Sequence, residues 1–143
     1  MPSAQRTIVI DKPVDEVFAF FTDPANDLRW RTHVKEVSSG APVVEGARIH
    51  QVVKGPAGRG IPADIVVTAY EPTTRYAFRV VAGPARPVGE FRFAPDGDAT
   101  AVSLSLSAEL RGLKKMLMSR SVQGAMDGEV RGLDRAKAAL ESS

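Results

Sequence analysis

Hydrophobic positions along this chain change period twice. Residues 7–11 are a β-branched run that stops just before Pro13, which predicts a first strand. Pro13 then opens a helix in which Val14, Val17, Phe18 and Phe21 follow the i, i+3, i+4, i+7 stripe, and Asp15 and Glu16 sit at its positive end. Asp23-Pro24 repeats that start signal and predicts a second short helix carrying Leu28 and Trp30. From residue 33 to residue 110 the period becomes two, with breaks at 38–40, 45–46, 55–60, 71–72, 83–84 and 96–98 that leave room for six strands. Beyond Gly112 there is no proline, and Met118, Val122, Met126, Val130, Leu133, Ala136 and Leu140 recur at spacings of three and four, which predicts one long helix.

The period-two segments assign faces. Ile61, Ala63, Ile65, Val67 and Ala69 form one apolar set, expected to face inward along a single fourth strand. Ile49, Gln51 and Val53, then Tyr76, Phe78 and Val80, then Phe91 and Phe93, then Val102, Leu104 and Leu106 share that concave face by the same alternation. Short breaks favour antiparallel hairpins, because parallel crossovers need a dozen or more residues. A curved sheet around the C-terminal helix, with an apolar cavity between them, is the expected architecture. Glycines at 124, 128 and 132 interrupt that helix and predict close packing on the sheet or local looseness.

A length of 143 residues fits a single domain over 1–143. Nineteen basic and seventeen acidic residues leave a charge of +2, too mixed to point to nucleic acid. No cysteine is present, so disulfides and thiolate chemistry are absent. The N-terminus lacks a signal-peptide pattern and no apolar run reaches the ~20 residues of a membrane span, which makes the cytoplasm the expected location.

Several strings have a familiar order. Residues 8–18 (IVIDKPVDEVF) followed by Asp23-Pro24 and Trp30, then residues 46–51 (GARIHQ), 69–72 (AYEP) with 75–78 (RYAF), 89–93 (GEFRF) and 97–100 (GDAT), resemble the START-like (SRPBCC, Bet v 1-like) superfamily in its polyketide cyclase/dehydrase-like branch. The resemblance implies an α+β helix-grip fold: a seven-stranded antiparallel sheet wrapped around a long C-terminal helix, with two short helices after the first strand. It also implies a hydrophobic ligand such as a lipid, sterol or polyketide, with cyclase activity in some members only. Fold alone does not choose among these.

Candidate chemistry is sparse. His33 and His50 fall on separate strands, His50 on the outer face beside Arg48, and neither joins a metal-ligand spacing, so no metal or cofactor is expected. Asp64 falls in the outward set and reads as solvated. Gln51 is an inward amide that needs partners, either a ligand or a neighbouring backbone group or water. Trp30 suits core packing or the cavity mouth. Phe78, Phe91 and Phe93 read as core aromatics first and cavity wall second. The expected ligand-lining set is Trp30, Ile49, Gln51, Ile65, Phe78, Phe91, Leu104, Met118 and Val122, with no catalytic residue assigned. The leading expectation is a non-catalytic carrier of a hydrophobic small molecule, as monomer or homodimer. A cyclase or dehydratase using His33 or Tyr76 is the alternative. A third reading is a membrane-surface or protein-interaction module using the basic stretch at 111–120, where Lys114 and Lys115 lie among leucines and methionines.

Overall fold

The computed structural model describes residues 2–39, 42–83, 85–110 and 112–142, without the side chains at 56 and 113–116. The turn positions Gly40 and Pro84, Arg111 and the side chains of Lys114 and Lys115 therefore lie outside the described residues.

Strand β1 (Ser3–Ile10) leads to helix α1 (Val14–Thr22), a 3-10 turn (Pro24–Asn26) and the single-turn helix α2 (Asp27–Trp30). Strands β2 (Val34–Ser38), β3 (Arg48–Lys54), β4 (Gly60–Pro62), β5 (Ile65–Glu71), β6 (Arg75–Val80), β7 (Val88–Asp96) and β8 (Ala99–Ser107) follow, then helices α3 (Leu113–Arg131) and α4 (Leu133–Glu141). The sheet runs β1-β8-β7-β6-β5-β3-β2, with β4 paired to β3 off that path. This is the helix-grip α+β fold, a curled seven-stranded antiparallel sheet around a C-terminal helical segment.

Three expectations are corrected. The fourth strand is two strands, because residues after Pro62 leave the β3–β4 hairpin and β5 resumes opposite Arg48 and Ile49 instead. Its inward set also changes partway. The β5–β6 register shifts between Val67 and Ala69, so past that bulge Tyr70 turns inward onto Phe18 and Tyr76, while Ala69 is buried outside the hydrophobic cluster. Finally, the C-terminal helix is interrupted at Gly132, whose N–H is shared between the carbonyls of Gly128 and Glu129. A Cβ at Gly132 would stand 3.1 Å from the Trp30 carbonyl oxygen and 3.3 Å from its ring, so this glycine packs on α2 and not on the sheet. A Cβ added at Gly124 would meet nothing within 4 Å beyond its own helix backbone.

The other inward sets hold the core. Ile49, Gln51, Tyr76, Val80, Phe91, Phe93, Val102, Leu104 and Leu106 are all buried. Helix side chains cover the outer edge of β1: Gln123 bonds both backbone groups of Ser3, Lys137 donates to the Val9 carbonyl at 2.6 Å, and Glu141 accepts from the Asp11 N–H at 2.8 Å. Those bonds shield an otherwise open edge and set the helix against the sheet.

Candidate functional site

The site starts at the short turn after α1. Asp23 accepts the Ala25 N–H at 3.0 Å and Pro24 holds the first position of the 3-10 turn. The Asn26 side chain donates to the Phe20 carbonyl and ties the turn to α1. These anchors deliver Trp30 inward, 2% exposed, against Phe21 and Phe91 at ring distances of 5.4 and 6.2 Å. Trp30 is thus part of the core and does not stand at a mouth. Its indole N–H is buried without a hydrogen-bond partner among the described residues, a situation that costs about 1–3 kcal/mol.

Arg31 follows and organises a buried polar cluster. It pairs with Asp27 one turn earlier at 3.2 Å, donates to the Gln51 side-chain oxygen at 3.0 Å, and lies 2.6 Å from Glu129 of α3 through Nε. The other Glu129 oxygen lies 2.6 Å from His33 Nε2. Burial pushes the Asp27 carboxyl up to about 6, only partly offset by Arg31. For Glu129 burial also acts upward, but the Arg31 charge and the His33 hydrogen bond outweigh it and hold the carboxyl below its ordinary range. Burial opposes the Arg31 charge too, yet Glu129 and Asp27 keep that guanidinium firmly protonated. Nearby, burial pushes the Tyr76 hydroxyl up, with the Asp27 charge adding to it.

Two adjoining spaces meet at this cluster. The larger, about 160 Å³, has apolar walls from Val53 and Val80 of the sheet, Leu106 of β8, and Val122 and Met126 of α3. Its polar end is Arg31, His33, Gln51 and Glu129. Ala125 is exposed and Ala85 half-buried, so the opening lies between α3 and the β6–β7 loop. The smaller, about 30 Å³, lies among Asp27, Trp30, Tyr76 and Phe91, and shares Arg31, Gln51, Phe78 and Glu129 with the larger. Wider grooves elsewhere are open surface features, one on the sheet near Arg75 and Arg79 and one between α1 and residues 37–43.

Of the nine expected lining residues, Gln51, Phe78 and Val122 line the larger space, and Trp30, Gln51, Ile65, Phe78 and Phe91 the smaller. Ile49 and Leu104 are fully packed in the core, and Met118 packs against it half-buried, so none of these three lines either space. His50 and Asp64 lie apart on the outer face, bonded at 2.7 Å, with Arg48 on the same carboxylate. Asp64 is therefore held by His50, Arg48 and the Gln51 backbone, where the alternation suggested a merely solvated side chain. Asp27, Arg31 and Glu129 were not singled out from the sequence. Their signal was present: Asp27 and Arg31 are an i, i+4 pair, and Glu129 falls on the buried stripe between Met126 and Leu133. Among the described residues no group of acidic, histidine or cysteine side chains could hold a metal ion, and no helix is long and apolar enough to cross a membrane.

A sheet gripping a helix over an apolar space with a polar inner end places the chain among helix-grip proteins. The chain belongs to the family described as polyketide cyclase / dehydrase and lipid transport, whose sequence profile matches residues 1–141. Many solved structures share the fold, among them the following three. TTHA0849 from Thermus thermophilus superposes with a TM-score of 0.80 at 19% identity, over 99% of this chain and 98% of its own. A START superfamily protein from Mycobacterium smegmatis reaches 0.78 at 14% identity, over 98% and 97%. The Zhui aromatase/cyclase from Streptomyces sp. R1128 reaches 0.75 at 15% identity, over 97% and 93%. No curated protein matches the chain significantly.

Proposed function

We propose that this protein binds a small, largely apolar molecule in the space between the sheet and α3. The observation that carries this reading is the 160 Å³ apolar space closed at its inner end by Arg31, Gln51 and Glu129. A dry cavity of about 150 Å³ suffices to hold benzene, so a single ring fits without rearrangement and a longer ligand requires Phe78 or Met126 to move. Affinity comes from apolar area removed from water, at about 25 cal/mol per Å², and orientation from the polar end. Calorimetric titration with toluene is expected to give saturable one-to-one binding, with toluene at a hundred times its Kd stabilising the fold by about 2.7 kcal/mol. Absence of both binding and stabilisation would remove the proposal.

One contact favours a second reading. The His33–Glu129 pair borders the cavity, an arrangement in which a carboxylate orients an imidazole for proton transfer. One of the structural neighbours is named an aromatase/cyclase. Turnover of a bound polyketide-like compound, lost in His33→Ala while binding persists, would distinguish catalysis from carriage.

A further inference from the structure

We infer that the molecule held in the cavity is a small ring bearing one neutral hydroxyl, whose oxygen accepts the Trp30 indole N–H and whose proton is donated to the Asp27 carboxylate, an inference that rests on the cavity being a binding site. Trp30 and Asp27 border the same 30 Å³ space, which adjoins the apolar one across four shared wall residues. That volume admits one heavy atom with its hydrogens and little else. The indole is a donor only, and it is buried without a partner among the described residues. An ionised carboxylate is an acceptor only. A hydroxyl both accepts and donates from a single atom, so it satisfies the two groups together.

The charges around the space narrow the class further. A single guanidinium, that of Arg31, already faces two carboxylates, Asp27 at 3.2 Å and Glu129 at 2.6 Å. An acid entering as its anion would add a third negative charge beside them, at a place with little water to screen it. An ammonium group could meet Asp27, but it offers nothing to the indole N–H. A hydrocarbon ring fills the apolar space and leaves the indole as it was.

Toluene, phenol and benzoate test this directly. Trp30 is the only tryptophan, so nitrogen-15-labelled protein gives one indole N–H resonance. Phenol is expected to bind at least about 10-fold more tightly than either of the others, and to move that resonance downfield of its position in the toluene complex. Asp27→Asn is expected to lower the phenol-over-benzoate preference at least about threefold, since the charge that repels benzoate is gone. Equal affinity for toluene and phenol, with the indole resonance in one place, would overturn the hydroxyl inference while leaving the cavity a binding site. Benzoate binding as tightly as phenol, or a preference unchanged in Asp27→Asn, would overturn it likewise. Failure of all three compounds to bind would overturn the cavity reading and this inference with it.

Discussion

Asp27 carries an unusual burden for a residue on a one-turn helix. Its carboxyl is pushed from 3.8 to about 6 by burial, so between those values the folded protein holds a proton that the unfolded chain releases. Stability from this group is therefore full below about pH 4 and is lost as pH rises through 6, a change of roughly 3 kcal/mol. Glu129 has the opposite sign: its lowered pKa stabilises the fold above the ordinary carboxylate range, and that contribution disappears as acid protonates it. Asp27→Asn should accordingly flatten the decline in urea-unfolding free energy between pH 4 and pH 7 and leave the acid limb in place. An unchanged decline would mean that Asp27 titrates as an ordinary surface carboxylate. A buried ion pair is weak support for stability by itself, because desolvation offsets most of the attraction.

At the scale of elements, small residues decide where large ones go. Phe78 of β6 is paired across the sheet with Gly89 of β7, and the ring lies over the glycine. A Cβ at Gly89 would collide with the ring edge and come within 2.9 Å of Leu106 Cδ2. Gly89→Ala should push Phe78 into the spaces it lines. We expect toluene affinity to fall at least about 10-fold by calorimetry, with about 1–3 kcal/mol of stability lost to overpacking. Unaltered affinity would show that the ring retreats another way. Helix α2 illustrates the same dependence on neighbours. Four residues are too few to be helical alone, and α2 persists because Asp23 and Asn26 fix its entry and Gly132 lets α4 approach its carbonyl. The β-bulge at 68 redirects Tyr70, which no alternation rule could reveal, since one extra residue inverts every face beyond it.

For the whole molecule, the order of strands, paired short helices and terminal helix was legible in the sequence because each element carries its own period. The core aromatics followed from that order: Phe18, Phe91 and Phe93 are buried together. What escaped was the cluster joining Asp27 and Arg31 near the N-terminus to Gln51 in the middle and Glu129 near the end. Gln51 stood out alone as an inward amide, and the local signals of the other three do not say that they meet; only the fold brings them together. Trp30 escaped in a different way, because a tryptophan after a helical hairpin suits a rim as well as a core until neighbouring Gly132 and Phe21 are in place.

The seam at Gly132 divides the terminal helix into segments of unequal commitment. Past it, Leu133 and Ala136 have no exposed surface and Leu140 has 4%. Before it, Leu117 is 79% exposed and Arg120 and Ser121 face solvent. Amide hydrogens should then exchange in two regimes, fast over 117–125 and slow over 133–141, and an occupant of the cavity should slow the first set alone. If exchange follows that division, the roof of the proposed binding space opens on its own while the segment behind Gly132 stays packed.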